Sequence, residues 1–242
     1  MSTESREILV SGVRVQIVRR AIKNLHLGVY PPNGRVRVAA PLRVSDDAVR
    51  LAVIDKLGWI RKQQAKFDAQ PRQSAREMAS GESHYFLGRR YRLRVVEQDG
   101  PNHVALRNRT TLELRVRGAP DTRQRERVLQ RWYRARLREL VPPMLAKWEA
   151  ALGVRVSGWG IRQMKTKWGS CSVDARRIWL NLELAKKPPQ CLEYLIVHEL
   201  AHLIERRHDD RFVALMDRHL PNWRLHRKTL NSEPLGHASW TY

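Results

Sequence analysis

His198-Glu199-Leu200-Ala201-His202 sets two imidazoles four residues apart, with a carboxylate directly after the first. On a helix, residues at i and i+4 share one face about a turn apart, so both rings can reach one metal ion. The glutamate points to a neighbouring angle, where it can touch a metal-bound water without ligating the metal. Zinc suits imidazole nitrogen and lowers the pKa of its water, leaving the carboxylate to take the proton. The chemistry implied is hydrolysis. The bland alternative is a pair of hydrogen-bonded core or surface histidines. The glutamate in its slot, on a largely apolar helix, favours the metal.

A catalytic zinc site needs a third protein ligand and leaves the fourth position to water. His208 is the leading candidate, with Glu205, Asp217 and His219 as alternatives. On a straight continuation of the same helix, His208 would lie about 9 Å beyond His202, out of range. The chain must therefore break after residues 204–207 and fold back. Asp209 or Asp210 can cap a new helix starting near Arg211, whose apolar face is Phe212, Leu215 and Met216.

Upstream lies Arg162-Gln163-Met164-Lys165-Thr166-Lys167-Trp168-Gly169-Ser170-Cys171-Ser172, then Ile178-Trp179-Leu180-Asn181. If 167–172 is an edge strand beside the metal helix, its backbone can take an extended peptide by strand addition. Arg162, Lys165, Lys167, Trp168 and Ser170 are then candidate substrate-binding residues, with Lys165 or Arg162 able to stabilise an oxyanion or a phosphate. The competing reading makes Trp168 core, Gly169 a bulge and Cys171 an inert small apolar residue. Asn181 can orient a ligand from behind.

These motifs resemble the YgjP-like metallopeptidase family, predicted zinc-dependent hydrolases related in motif to the SprT-like proteases. The resemblance rests on His198-Glu199-Leu200-Ala201-His202-Leu203, His208 and Phe212, and on the basic stretch with Trp168-Gly169-Ser170-Cys171. It extends through Lys56-Leu57-Gly58-Trp59-Ile60 and Leu87-Gly88-Arg89-Arg90-Tyr91. It implies a zincin-like fold, a metal held by His198, His202 and His208, and Glu199 as catalytic base. The family often places Asn before the third histidine and Ser after it. Here Arg207 and Asp209 stand there, and Asp209 can cap as Ser would.

The elements that must position these residues read as an α+β chain. Residues 1–120 form a β-rich N-terminal half with one helix at 45–67, and 121–242 the catalytic part. Strands are expected at 7–18, 25–30, 35–39, 85–87, 91–96, 103–107 and 112–117, with a turn at Pro32-Asn33-Gly34. Residues 68–81 read as a loose connection. A long helix runs from Asp121 or Thr122 to Leu152, where Pro142 and Pro143 must kink or interrupt it and Gly153 closes it. Strands at 154–162, 167–172 and 178–182 precede the metal helix at 189–206, a helix at 209–219, and a short last helix from Pro221. The tail after Asn231 reads as poorly ordered. Trp59, Trp132, Trp148, Trp159, Trp179 and Trp223 read as core, and no internal repeat is legible.

Of 242 residues, 46 are Lys or Arg and 24 Asp or Glu, a net charge of +22. Such a surface attracts polyanions, so a nucleic acid or nucleotide partner stands beside a peptide or protein substrate. Two cysteines, Cys171 and Cys191, exclude a disulfide framework and a four-cysteine zinc site. No apolar signal region and no window of eighteen apolar residues is present, so no transmembrane segment is expected and the cytoplasm is the default compartment. The first reading is a zinc metallopeptidase. The alternatives are a metal-dependent hydrolase of nucleotides or other phosphorylated substrates, or a non-catalytic DNA-associated zinc protein.

Overall fold

The computed structural model describes residues 5–30, 34–69, 77–164 and 167–232. Over these the chain is mixed α+β, with eleven short strands in three sheets and six α-helices. The described residues fall into two compact units, dividing near residue 75. The strands between 83 and 117 thus share a unit with the metal helix, and the division lies earlier than the 120/121 boundary read from sequence. The turn residues Pro32 and Asn33, part of the 68–81 connection, and the tail beyond 232 lie outside the described residues.

The first unit holds β1 (Ser5–Val10), β2 (Val13–Arg20), β3 (His26–Tyr30) and β4 (Arg35–Pro41), then α1 (Asp46–Asp55) and α2 (Leu57–Ala69). Alternation along β2 and β4 buries Val13, Val15, Ile17, Val36, Val38 and Ala40 on one face, against Val49, Val53 and Ile60 of the helices. Ser45 caps α1 by accepting from the Ala48 N–H at 3.2 Å. The single helix expected at 45–67 is two, separated at Lys56. Trp59 is 43% exposed, not core, because Ile60 next to it takes the inward position on α2.

In the second unit β5 (Ser83–Phe86), β6 (Arg89–Gln98), β7 (His103–Leu106) and β8 (Thr111–Arg117) precede the 31-residue α3 (Thr122–Leu152). The two four-stranded sheets share one topology. Their orders are β1-β2-β4-β3 and β5-β6-β8-β7, each with an antiparallel hairpin, a parallel central pair and an antiparallel edge. Their hairpins close through the same two-residue turn, with φ 48° and 81° at Ser11-Gly12 and 48° and 79° at Leu87-Gly88. This is a repeat that sequence reading missed. It survives in the turn glycine and in the paired inward positions Val15/Tyr91 and Ile17/Leu93.

Helix α3 is capped by Asp121 and Gln124 in a reciprocal capping box and closed by Gly153 in the left-handed conformation. It runs unbroken through Pro142 and Pro143. The two prolines deprive the carbonyls of Arg138 and Glu139 of their donors, and all four residues are exposed, so water replaces the lost bonds. The buried stripe from Val128 to Leu152 packs on the same core as β9 (Gly158–Arg162), β10 (Gly169–Ser172) and β11 (Arg177–Asn181). In this sheet β11 is central, antiparallel to β10 and parallel to β9. A turn of 3-10 helix, Leu182–Lys186, leads into α4 (Pro189–Ala201), followed by α5 (Asp210–His219) and α6 (Trp223–Asn231).

The Leu87-Gly88 turn holds this approach to α4. Leu87 N–H donates to the Ala185 carbonyl at 2.9 Å and Gly88 N–H to that of Lys186 at 3.1 Å. A Cβ on Gly88 would meet Pro188 at 2.8 Å, whereas one on Gly12 would meet nothing within 4 Å. Alanine at either position costs about 1–2 kcal/mol for its positive φ. Gly88→Ala should cost at least ~1 kcal/mol more than Gly12→Ala, because it also overpacks against Pro188. Urea unfolding of the two variants checks this; equal losses would mean that the turn does not bear on α4.

Candidate metal centre

Helix α4 is apolar on nearly every face. Cys191, Leu192, Tyr194, Leu195, Ile196, Val197, Leu200 and Ala201 are all buried, and Glu199 among them is 4% exposed. Pro189 at its first turn needs no N–H donor there. The helix ends at Ala201, five residues earlier than the spacing predicts, with His202 as its cap. At φ −65° and ψ −18° His202 is still helical, so the one-turn relation to His198 survives.

Past this point Leu203 and Ile204 tighten into short turns, donating to the carbonyls of Leu200 and Ala201 at 3.0 Å each. The chain then folds back. Asp209, one of the two residues the sequence offers for the role, accepts from the Phe212 N–H at 3.1 Å and caps α5. Arg207 keeps a negative φ, so the turn asks no left-handed residue of that position.

His208 returns to His198, with their Nε2 atoms 3.1 Å apart. The ligand nitrogens of His198, His202 and His208 all lie within 4.8 Å of one another. Two nitrogens each ~2.05 Å from a tetrahedral zinc stand about 3.3 Å apart, so the His198–His208 spacing fits one edge of such a site. His202 Nδ1 lies 3.2 Å from the Glu205 carbonyl, which can only accept, so Nδ1 carries the proton and Nε2 is the free lone pair. Glu205 meets the site through its backbone carbonyl and does not join the three-histidine group. Burial, then the neighbouring His202 and His208, then Arg227, push the His198 pKa down to about 3. Burial also lowers His202. Both rings are neutral near pH 7, as metal ligation requires.

The three imidazoles rest on Phe212, which is 2% exposed, with ring centroids 5.1, 4.9 and 4.7 Å from those of His198, His202 and His208. Glu199 faces β10 instead. A Cβ on Gly169 would stand 2.5 Å from Glu199 Oε1, so glycine alone lets strand and carboxylate meet. Burial lifts the Glu199 pKa to about 8 against the opposing pull of Lys167. Burial and then the Glu199 charge raise the Cys171 thiol to about 11. Cys171 does not join the histidine cluster.

A cavity of about 460 Å³ opens beside the histidines. Trp168, Tyr194, Phe212 and Trp223 supply its aromatic walls, and Lys167 and Arg227 also line it. Trp168 is 9% exposed, and so both packed and lining. Of the other residues expected to bind substrate, Arg162 lies over the Trp179 ring at 3.3 Å and Ser170 sits on β10 opposite Trp179; neither lines the cavity. Lys165 lies outside the described residues.

Sequence reasoning missed Tyr194, Trp223 and Arg227. Tyr194 stands one turn before His198 on the same face, a spacing that could have revealed it; its ring is 5.7 Å from that of His198 and stacks on Trp223 at 12°. Asn181, fully buried, does more than expected. Its Nδ2 donates to the carbonyls of Met164 and Lys167 at 2.7 Å each, and its Oδ1 accepts from the N–H groups of Met164 and Glu183. It thereby fixes the chain that carries Lys167 and Trp168.

A search of curated proteins finds no match. Among solved structures, the metallopeptidase zymogen abylysin of Pyrococcus abyssi is similar over 38% of this chain and 95% of its own, at 20% identity and a TM-score of 0.34, too low to bear on the fold. The family model of the YgjP-like metallopeptidase domain matches residues 23–233, taking in the histidine cluster, Glu199, the glycine strand and most of the first unit. By that match the chain belongs to the YgjP-like metallopeptidase family.

Proposed function

We propose that this metallopeptidase is a zinc enzyme with a zincin-like site in its second unit. His198, His202 and His208 hold the ion, Glu199 is the general base, and the substrate is a peptide or protein. The observation that carries this reading is the convergence of three imidazole nitrogens within 4.8 Å, with a buried carboxylate next in sequence to the first. Three nitrogen ligands leave a tetrahedral ion its fourth position, as catalytic sites require. A purely structural site would need a fourth protein ligand, and among the described residues no Cys, Asp or Glu joins the cluster.

When bound, zinc would supply an acidified water and a polarised scissile carbonyl. Glu199 takes the water proton and returns it to the leaving amine. Strand β10 is an edge, hydrogen-bonded among the described residues only to β11, and it runs past Glu199 at Gly169. An extended peptide added to that edge would bring its backbone across the histidines. The aromatic cavity then receives a side chain, with Lys167 and Arg227 available to a polar or anionic group. Those two cations make phosphate-ester hydrolysis the second reading; family membership ranks amide hydrolysis first. Two free cysteines and no helix among the described residues long and apolar enough to cross a membrane agree with a cytoplasmic enzyme.

Glu199→Gln should retain one zinc per chain and lose peptide hydrolysis by at least ~100-fold, in the range of general base catalysis. Elemental analysis beside a peptide-cleavage assay checks it, and undiminished turnover would remove Glu199 from the mechanism. Gly169→Ala should likewise keep zinc and depress kcat, because its methyl displaces the carboxylate. His208→Ala should lose zinc, and full zinc occupancy in that variant would move the third ligand elsewhere.

A further inference from the structure

Away from the histidines, α3 and the end of β8 enclose a cleft of about 550 Å³. Arg117, Arg127, Arg131 and Arg134 line it, with Asn102, Gln124 and Gln130 between them and no acidic residue. Nearby arginines are engaged. Arg107 and Arg115 hold the buried Glu113 at 2.9 and 2.6 Å, and Arg136 holds Glu139 at 2.6 Å. The four cleft arginines have no carboxylate partner among the described residues. The nearest acids on the helix are occupied, Asp121 in the capping box and Glu126 by Gln130 at 2.9 Å.

The arrangement is a row. At 1.5 Å per residue, Arg127 and Arg131 stand ~6 Å apart along the axis and Arg134 a further ~4.5 Å on, all near one face. The opposite face of α3, with Leu129 and Tyr133, is core, so the row is fixed to a rigid helix. Gathering four guanidinium groups without counter-charge is unfavourable unless an anion relieves it. A row about 10 Å long suits successive phosphates better than a single one. The amides between can bond to phosphate or sugar oxygens, and no aromatic side chain lines the cleft to stack a base.

We propose that this cleft is a binding site for the phosphate backbone of a nucleic acid, read without regard to sequence and independent of the metal centre. The test is fluorescence anisotropy of the full chain with labelled 20-nucleotide single strands and duplexes across a salt series. One variant is R127Q/R131Q/R134Q. A charge-matched control, R14Q/R43Q/R50Q, changes three exposed arginines of the first unit. The cleft variant should lose at least tenfold in affinity at ~100 mM salt, with its log–log salt slope smaller by about two to three. The control should lose less than threefold, and stripping the metal should change neither result. Equal weakening of both variants, or no binding by wild type, would overturn the site. Displacement by a nucleoside triphosphate at micromolar concentration, with oligonucleotides ineffective, would overturn the choice of a polynucleotide. Unchanged circular dichroism melting shows that the variants remain folded, so a loss of affinity belongs to the cleft.

Discussion

A helix that must stop is the constraint on which the site depends. His198 and His202 need helical geometry to share a face, and His208 can join them only if that geometry ends at once. Ala201 is the last helical residue, His202 keeps helical angles as the cap, and Asp209 starts the next helix by accepting from Phe212. This brings the His208 nitrogen to 3.1 Å from that of His198 and places Phe212 beneath all three rings. The cap and the platform are thus one device. Asp209 orients the helix whose third residue is the floor of the site.

Around that device the rest of the unit acts as support. The apolar surface of α4 anchors it on nearly every side, which also carries Glu199 out of water and raises its pKa. Gly169 admits the carboxylate to the edge strand. Asn181 bonds both ends of the segment between β9 and β10, and the Leu87-Gly88 turn grips the residues entering α4. The last three of these contacts join parts of the chain distant in sequence, and they act through hydrogen bonds to backbone groups or through the absence of a side chain.

That distinction explains what was legible beforehand. The two-histidine spacing, the Asp209 cap and the closing Gly153 are local, and the sequence displays them. The approach of Gly169 to Glu199 spans thirty residues and left no pattern; a bulge was the nearest reading. The doubled four-strand topology escaped because only a turn glycine and two inward positions must persist to build it. The two prolines fell on the wet side of α3, where lost hydrogen bonds are replaced, so they do not interrupt the helix. Arg162, expected to meet substrate, is instead stacked on Trp179, a contact that no spacing rule anticipates.

Zinc-edge X-ray absorption of the metal-loaded protein distinguishes an open three-histidine site from a closed one. The expected first shell is three imidazole nitrogens and one further light atom near ~2.0–2.1 Å. A sulfur scatterer at ~2.3 Å would bring Cys171 into the shell and make the site a closed, structural one, contradicting it.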